Sequence, residues 1–331
     1  MYSPQAPTIR FLALIVLFVL ATVIHGQAAT PVAQQAEVEI RAPAAPTEAN
    51  STAADEARFG ALERPFLQAD LELMVGNVQR PNGIVWFDNA LYTVCNGDWT
   101  IYKIDDRSGD TVTFVFGVRN GNNIIAEATE AGFDLWAPDP DSGNLWKVDQ
   151  RRGAPISVAS DLEAPWGIAR LNAGSFLFTD TRANSIFELP SGAEPRAVVS
   201  ELRAPTGIVR DANHVYFANG GSARRGIEYF AVDADEGFSP VKPLVSGLQN
   251  TSNIAIGADG YLYFSYALGT RGVIGRIEPS QCLDNGCDNQ DVEVVVFSDI
   301  PAPLAIALSD DMRLFLHSRF KPEFYWVQIP A

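Results

Sequence analysis

The stretch Ala164–Pro190, APWGIARLNAGSFLFTDTRANSIFELP, decides the reading of this chain. An apolar pair, Ile168-Ala169, follows a Pro-x-Gly corner. A second apolar run starts at Leu177 and a third, SIFEL, ends at Leu189. Short apolar runs of roughly four to eight residues bounded by Gly, Asn and Asp read as β-strands joined by tight turns.

Five more versions of the stretch occur. The corners are PNGIV at Pro81, NNIIA at Asn122, PWGIA at Pro165, PTGIV at Pro205, SNIAI at Ser252 and PLAIA at Pro303. Their anchors, Ile84, Ile124, Ile168, Ile208, Ile254 and Ile306, are spaced 40, 44, 40, 46 and 52 residues apart. A second strand follows each anchor: LYTVCN, LWAPD, LFTD, VYFAN, LYFSY and LFLHS. A third follows that: TIYKID, NLWKVD, SIFELP, EYFAVD, VIGRIEP and FYWVQIP. A fourth, more variable strand closes five of the units. The sixth ends at Ala331 without one, and LELMVGN at Leu71–Asn77 supplies a candidate.

Six four-stranded units at this period predict an all-β, six-bladed β-propeller whose ring is closed by an N-terminal strand at about 71–77. Borrowing that strand from the opposite terminus hides two sheet edges. Helical repeats would need apolar stripes of period 3.6, and none is present.

The flanking sequence reads differently. Residues 1–28 have the pattern of a signal peptide, or of an uncleaved anchor: Arg10, then the apolar run Phe11–Ile24, then Gly26-Gln27-Ala28. Residues 29–63 form an Ala/Pro/Thr/Glu-rich linker, too poor in large apolar side chains to offset ordering entropy. The propeller occupies 64–331. An exported protein, periplasmic or extracellular, is therefore expected, with membrane contact only through an uncleaved residues 11–24. In that setting Cys282 and Cys287, in QCLDNGCDN, are expected to form a loop disulfide, and Cys95 to be a buried thiol. The formal charge of −16 excludes nucleic acid as a partner, because phosphate backbones repel an acidic chain.

The unit Pro-x-Gly-Ile, then Leu-Tyr/Phe-x-x-Asp/Asn, then an Ile-aromatic strand resembles the NHL-type and gluconolactonase-like (senescence-marker-protein-like) six-bladed propellers over Leu71–Ala331. The resemblance implies the fold. For function it implies a wide set: binding modules, lactonases and lyases. Asn82 in PNGI looks like an Asn that gluconolactonase relatives use as a divalent-metal ligand. The other corner positions, Asn122, Trp166, Thr206, Ser252 and Leu304, include no carboxylate. Streptogramin-lyase propellers share the repeat and use a His/Glu cluster, whereas His25, His214 and His317 are scattered here.

In such a ring the corners and the loops after the second strands meet at one mouth of the channel, where ligand sites gather. The loops carry Asn96 and Asp98, Asp139 and Asp141, Asp180 and Arg182, Asn219, Arg224 and Arg225, Arg271, then His317, Arg319 and Lys321. Arginine suits carboxylate or phosphate. The expected ligand-binding set is Trp166, Arg182, Arg224, Arg225, Arg271, His317 and Arg319. The expected ligand is a small anionic or carbohydrate-like molecule, or a protein partner. A second reading is a metal-dependent lactone hydrolase with Asn82, Asn122, Asp139 and Asp180 around one divalent cation (Ca, Mn or Zn) and Asp180 as catalytic base. The third is a structural or protein-interaction ring without a cofactor. Turn-forming Asx residues and locally paired arginines explain the same positions without any ligand. Trp99, Trp136 and Trp146 read as core, and DPDSGN at Asp139 as a hairpin turn.

Overall fold

The structure, a computed structural model, describes residues 62–331 except 152, 223, 234–236, 320 and 331. The expected signal or anchor, and nearly all of the linker, lie outside the described residues. No helix among the described residues is long and apolar enough to cross a membrane.

Six antiparallel sheets follow one another around a ring, each an inner, second, third and outer strand. Blade I is Pro81–Phe87, Ala90–Cys95, Thr100–Asp105 and Thr111–Phe116; blade II is Ile125–Thr129, Gly132–Asp139, Asn144–Asp149 and Ile156–Ala159. Blade III is Pro165–Asn172, Ser175–Asp180, Ser185–Leu189 and Arg196–Val199; blade IV is Pro205–Arg210, His214–Asn219, Gly226–Asp233 and Lys242–Ser246. Blade V is Gln249–Ile256, Leu262–Leu268, Arg271–Ile277 and Glu293–Pro301. Blade VI takes Leu304–Leu308, Arg313–Ser318 and Phe324–Gln328 from the C-terminal end and its outer strand, Glu72–Val75, from the N-terminal side. Glu72 pairs with Trp326 and Leu73 with Tyr325, so the ring closes as the repeat count predicts.

Two blades carry extra edge cover. Phe66–Leu67 runs parallel to the outer strand of blade V, and Cys287–Asp288 parallel to that of blade IV. The Cys282–Cys287 disulfide holds the second piece, with the Cα atoms 5.2 Å apart. Covering an outer edge removes a template for pairing with other chains.

The apolar face of each blade packs on its neighbour. Leu177, Ile186, Ile208, Val215 and Phe217 form one such cluster between blades III and IV. Burial of each large aliphatic or aromatic side chain contributes about 1.5–3 kcal/mol. One expected core aromatic is not there: Trp99 is 45% exposed, on left-handed backbone (φ 61°), because it closes the turn after the second strand of blade I.

The Pro-x-Gly-Ile corners have a defined geometry. In blades I, III and IV the register shifts between the Pro and the Ile, a bulge of one residue. The bulge re-aims the residue between Pro and Gly. The Gly is required by close approach: a Cβ on Gly167 would stand 2.4 Å from the Thr206 carbonyl oxygen of the next blade, and one on Gly83 would stand 2.8 Å from the Asn123 backbone.

Candidate functional site

Two junctions between successive inner strands, those of blades III–IV and V–VI, are fastened by second-strand hydroxyls. Thr179 Oγ1 accepts from Gly167 N at 2.8 Å and donates to the Thr206 carbonyl at 2.6 Å. Ser265 Oγ does the same for Asn253 N at 3.2 Å and the Leu304 carbonyl at 2.7 Å. Each follows the residue that faces an anchor Ile: Phe178 faces Ile168 and Phe264 faces Ile254. In blade VI Leu316 faces Ile306, so the corresponding residue is His317.

His317 is 1% exposed, and neither ring nitrogen makes a hydrogen bond of full geometry; the Ser318 and Asn82 backbone groups come nearest. Its ring lies 4.4 Å from that of Phe324. Burial pushes its pKa down to about 4, and the nearby Ser318 and Asn82 backbone only partly offsets this. At neutral pH the imidazole is therefore uncharged, with one nitrogen able to donate and the other to accept.

The ring lines a small cavity of about 20 Å³ at the mouth of the channel. Asn82, Asn122, Trp166, Ser252 and Leu304, five of the six corner residues, line it too, with Arg319 at the rim. Thr206 does not; its hydroxyl donates to the Thr251 carbonyl at 2.9 Å. Asn82 Nδ2 is fastened to Asn120 Oδ1. The cavity takes about one water-sized group, so it accommodates the end of a larger ligand. Asn253 also lines it and was not singled out from the sequence; its place directly after the Ser252 corner was the available signal.

Asp139 and Asp180 are not brought to this cavity. Both are buried, and both clamp the chain entering their own blade. Asp180 accepts from the backbone of Glu163, Ala164, Arg182 and Ala183 at 3.0–3.1 Å. Asp139 accepts from the backbone of Arg119, Asp141 and Ser142 and from Trp146 Nε1. Asn219, the matching residue of blade IV, accepts from Arg203 N and donates to Glu228. DPDSGN is accordingly an Asx turn.

The arginines divide in the same way. Arg319 lines the cavity. Arg224 is paired with Glu228 at 2.7 Å, and Arg271 with Asp299 at 3.2 Å. Arg182 donates to the Glu163 carbonyl at 3.4 Å, and Arg225 is exposed in its loop. None of these four lines the cavity; Arg182, Arg224 and Arg271 have acceptors close by.

A divalent cation is what the resemblance implies at this mouth. The residues present do not fit a hard one. Such ions favour several anionic oxygens. The lining offers three Asn, one Ser and a neutral His, beside the cationic Arg319. Among the described residues no group of three or more His, Cys, Asp or Glu is placed to hold a metal.

Comparison with known proteins gives the fold. No protein-family model matches the sequence, and no curated protein matches it. Among solved structures, a gluconolactonase from Xanthomonas campestris is similar at TM-score 0.62 and 15% identity, covering 85% of this chain and 94% of its own. A calcium-binding regucalcin from Agrobacterium tumefaciens is similar at TM-score 0.60 and 13% identity, covering 81% and 96%. A streptogramin B lyase is similar at TM-score 0.55 and 15% identity, covering 77% and 96%. The chain thus has the six-bladed fold of gluconolactonase-like proteins, hosted by relatives of differing chemistry.

Proposed function

We propose that this chain is a binding propeller that takes a small anionic or sugar-acid ligand at the channel mouth, between Asn82, Asn122, Trp166, His317 and Arg319. The observation that carries the reading is His317: fully buried, with no ring hydrogen bond of full geometry, and on a cavity that no carboxylate lines. A buried polar group without a bond costs about 1–3 kcal/mol, and a ligand oxygen supplies the missing bond. The Asn amides add neutral donors, and the Arg319 guanidinium supplies attraction at the rim. Trp166 offers a ring face for a sugar. Export would place the protein where such ligands are free in solution.

Calorimetric titration with glucuronate and gluconate tests the reading. Saturable binding weakened at least tenfold by His317→Ala and by Arg319→Ala is expected (about 1.4 kcal/mol each). Absence of binding to either acid, or binding indifferent to both variants, would sink it.

A second reading, metal-dependent hydrolysis of a lactone, is supported by likeness of fold to the gluconolactonase and regucalcin structures. Its donor set, which holds no carboxylate, is the weak point. Elemental analysis of the purified protein together with a gluconolactone hydrolysis assay separates the two readings: stoichiometric Ca, Mn or Zn with turnover favours the enzyme.

A further inference from the structure

Beyond the polar mouth the inner strands line a second, larger cavity of about 310 Å³. Trp166 belongs to the first cavity and Arg170 to the second; the extended chain between them rises about 13 Å. The second cavity therefore lies toward the opposite end of the channel. All six anchor isoleucines line it. Trp86, Ala255, Leu308, Arg170 and Arg210 lie further along the same strands, and the amides of Asn123 and Asn253 line its end nearer the mouth. The inner strands are bonded to a neighbour on one side only, so their free edges add backbone N–H groups.

The charge of this cavity opposes that of the chain. Forty acidic residues occur in the sequence, yet none lines the cavity, and both charged residues that do are arginines. The two arginines differ. Arg170 Nε lies 3.3 Å from Glu127, so its charge is compensated. Arg210 has no acidic partner among the described residues. Its Nη2 donates to the Ala212 carbonyl at 3.1 Å, and its Nε is buried with no partner at all. An unbonded buried N–H on a charged group is costlier than on a neutral one. A carboxylate satisfies it and matches the guanidinium fork.

We infer that this far end of the channel binds a monocarboxylate with an aliphatic body, its carboxylate on Arg210 and its chain against the isoleucine-lined wall. At about 30 Å³ for each heavy atom, the volume a water takes in the liquid, the cavity holds about ten of them. Octanoate has that size. The site borders the polar mouth at Asn253, which lines both cavities, but Arg210 and the anchor isoleucines line only this one, and the reading does not depend on what the mouth binds.

The test is calorimetric titration of the full chain with octanoate and with octan-1-ol, the latter matched in body and lacking the charge. Saturable octanoate binding is expected, at least tenfold tighter than octanol. Arg210→Met weakens octanoate at least tenfold and leaves octanol unchanged. Ala255→Phe, which fills the cavity, abolishes both; circular dichroism reports whether that variant is folded, and Arg210→Met serves if it is not. His317→Ala leaves octanoate binding intact, which distinguishes this cavity from the mouth. No saturable binding to the unaltered chain, equal affinity for acid and alcohol, or an Arg210→Met variant that binds octanoate unchanged would each overturn the inference.

Discussion

Arg313 of blade VI reaches Asp106 of blade I across 207 residues of sequence, with Nη2 2.6 Å from Oδ2. Both side chains are almost wholly buried, at 2% and 1% exposed. Arg313 Nη1 also donates to the Asp106 carbonyl, and Trp86 Nε1 donates to the same carboxylate at 2.5 Å. The Arg313 guanidinium lies over the Phe315 ring. The first and last blades are thus tied by an ion pair with further hydrogen bonds on both partners.

Removing one partner leaves a buried charge. Arg313→Met is therefore expected to cost about 3–5 kcal/mol. Asp106→Leu combined with Arg313→Met recovers much of that loss, since a buried pair replaced by apolar groups is often neutral. Urea unfolding monitored by Trp fluorescence measures both. A single variant as stable as the parent would show that the pair does not hold the closure.

The closing strand is a second point of failure. Deleting residues through Val75 exposes the edge of Phe324–Gln328, which otherwise pairs with Glu72–Val75. Unpaired edges recruit other chains. Truncation is expected to lower the melting temperature and to shift the protein into oligomers on size-exclusion chromatography. A monomeric truncated protein with an unchanged melt would contradict the role given to this strand.

Gly167 is placed for close approach, and Gly76 is not. A Cβ at Gly167 meets backbone at 2.4 Å, whereas at Gly76 nothing lies within 4 Å. Neither has a positive φ. Gly167→Ala should cost about 1–3 kcal/mol, the usual range for overpacking, and Gly76→Ala close to nothing. Thermal melts of the two variants compare them directly.

His317 imposes a pH dependence. Its pKa falls from 6.5 in the unfolded chain to about 4 in the fold, so only the unfolded chain takes up a proton between those values. Stability is full above about pH 6.5 and declines as pH falls toward 4, by on the order of 3 kcal/mol. His317→Gln should flatten that part of the profile, seen as a smaller difference between urea midpoints at about pH 7 and about pH 4.5. Equal differences in both proteins would place the histidine elsewhere than in an apolar, closed environment.

The repeat itself determined the ring. Strand runs, turn residues and the isoleucine anchors are local features, and their recurrence counted the blades and pointed to a closing strand at about 71–77, found at Glu72–Val75; the spacing of Cys282 and Cys287 separately predicted their disulfide. Such features are legible because apolar alternation and turn chemistry act over a few neighbouring residues. The corners were legible too, and five of the six meet at one cavity. Which polar residues remain available for a ligand was not legible, because a polar group's partner is chosen by what the fold brings beside it. Asp180 looks like a catalytic base in sequence and is a clamp for backbone N–H groups of its own blade. Arg224 and Arg271 look like anion binders and face Glu228 and Asp299. His317 was singled out in the sequence as a loop residue, but only the fold shows it buried in a second strand, at the position where Thr179 and Ser265 each make two hydrogen bonds and its ring makes none of full geometry. Arg210 drew no notice in the sequence, and only the meeting of six inner strands made it an unpaired charge on an apolar wall.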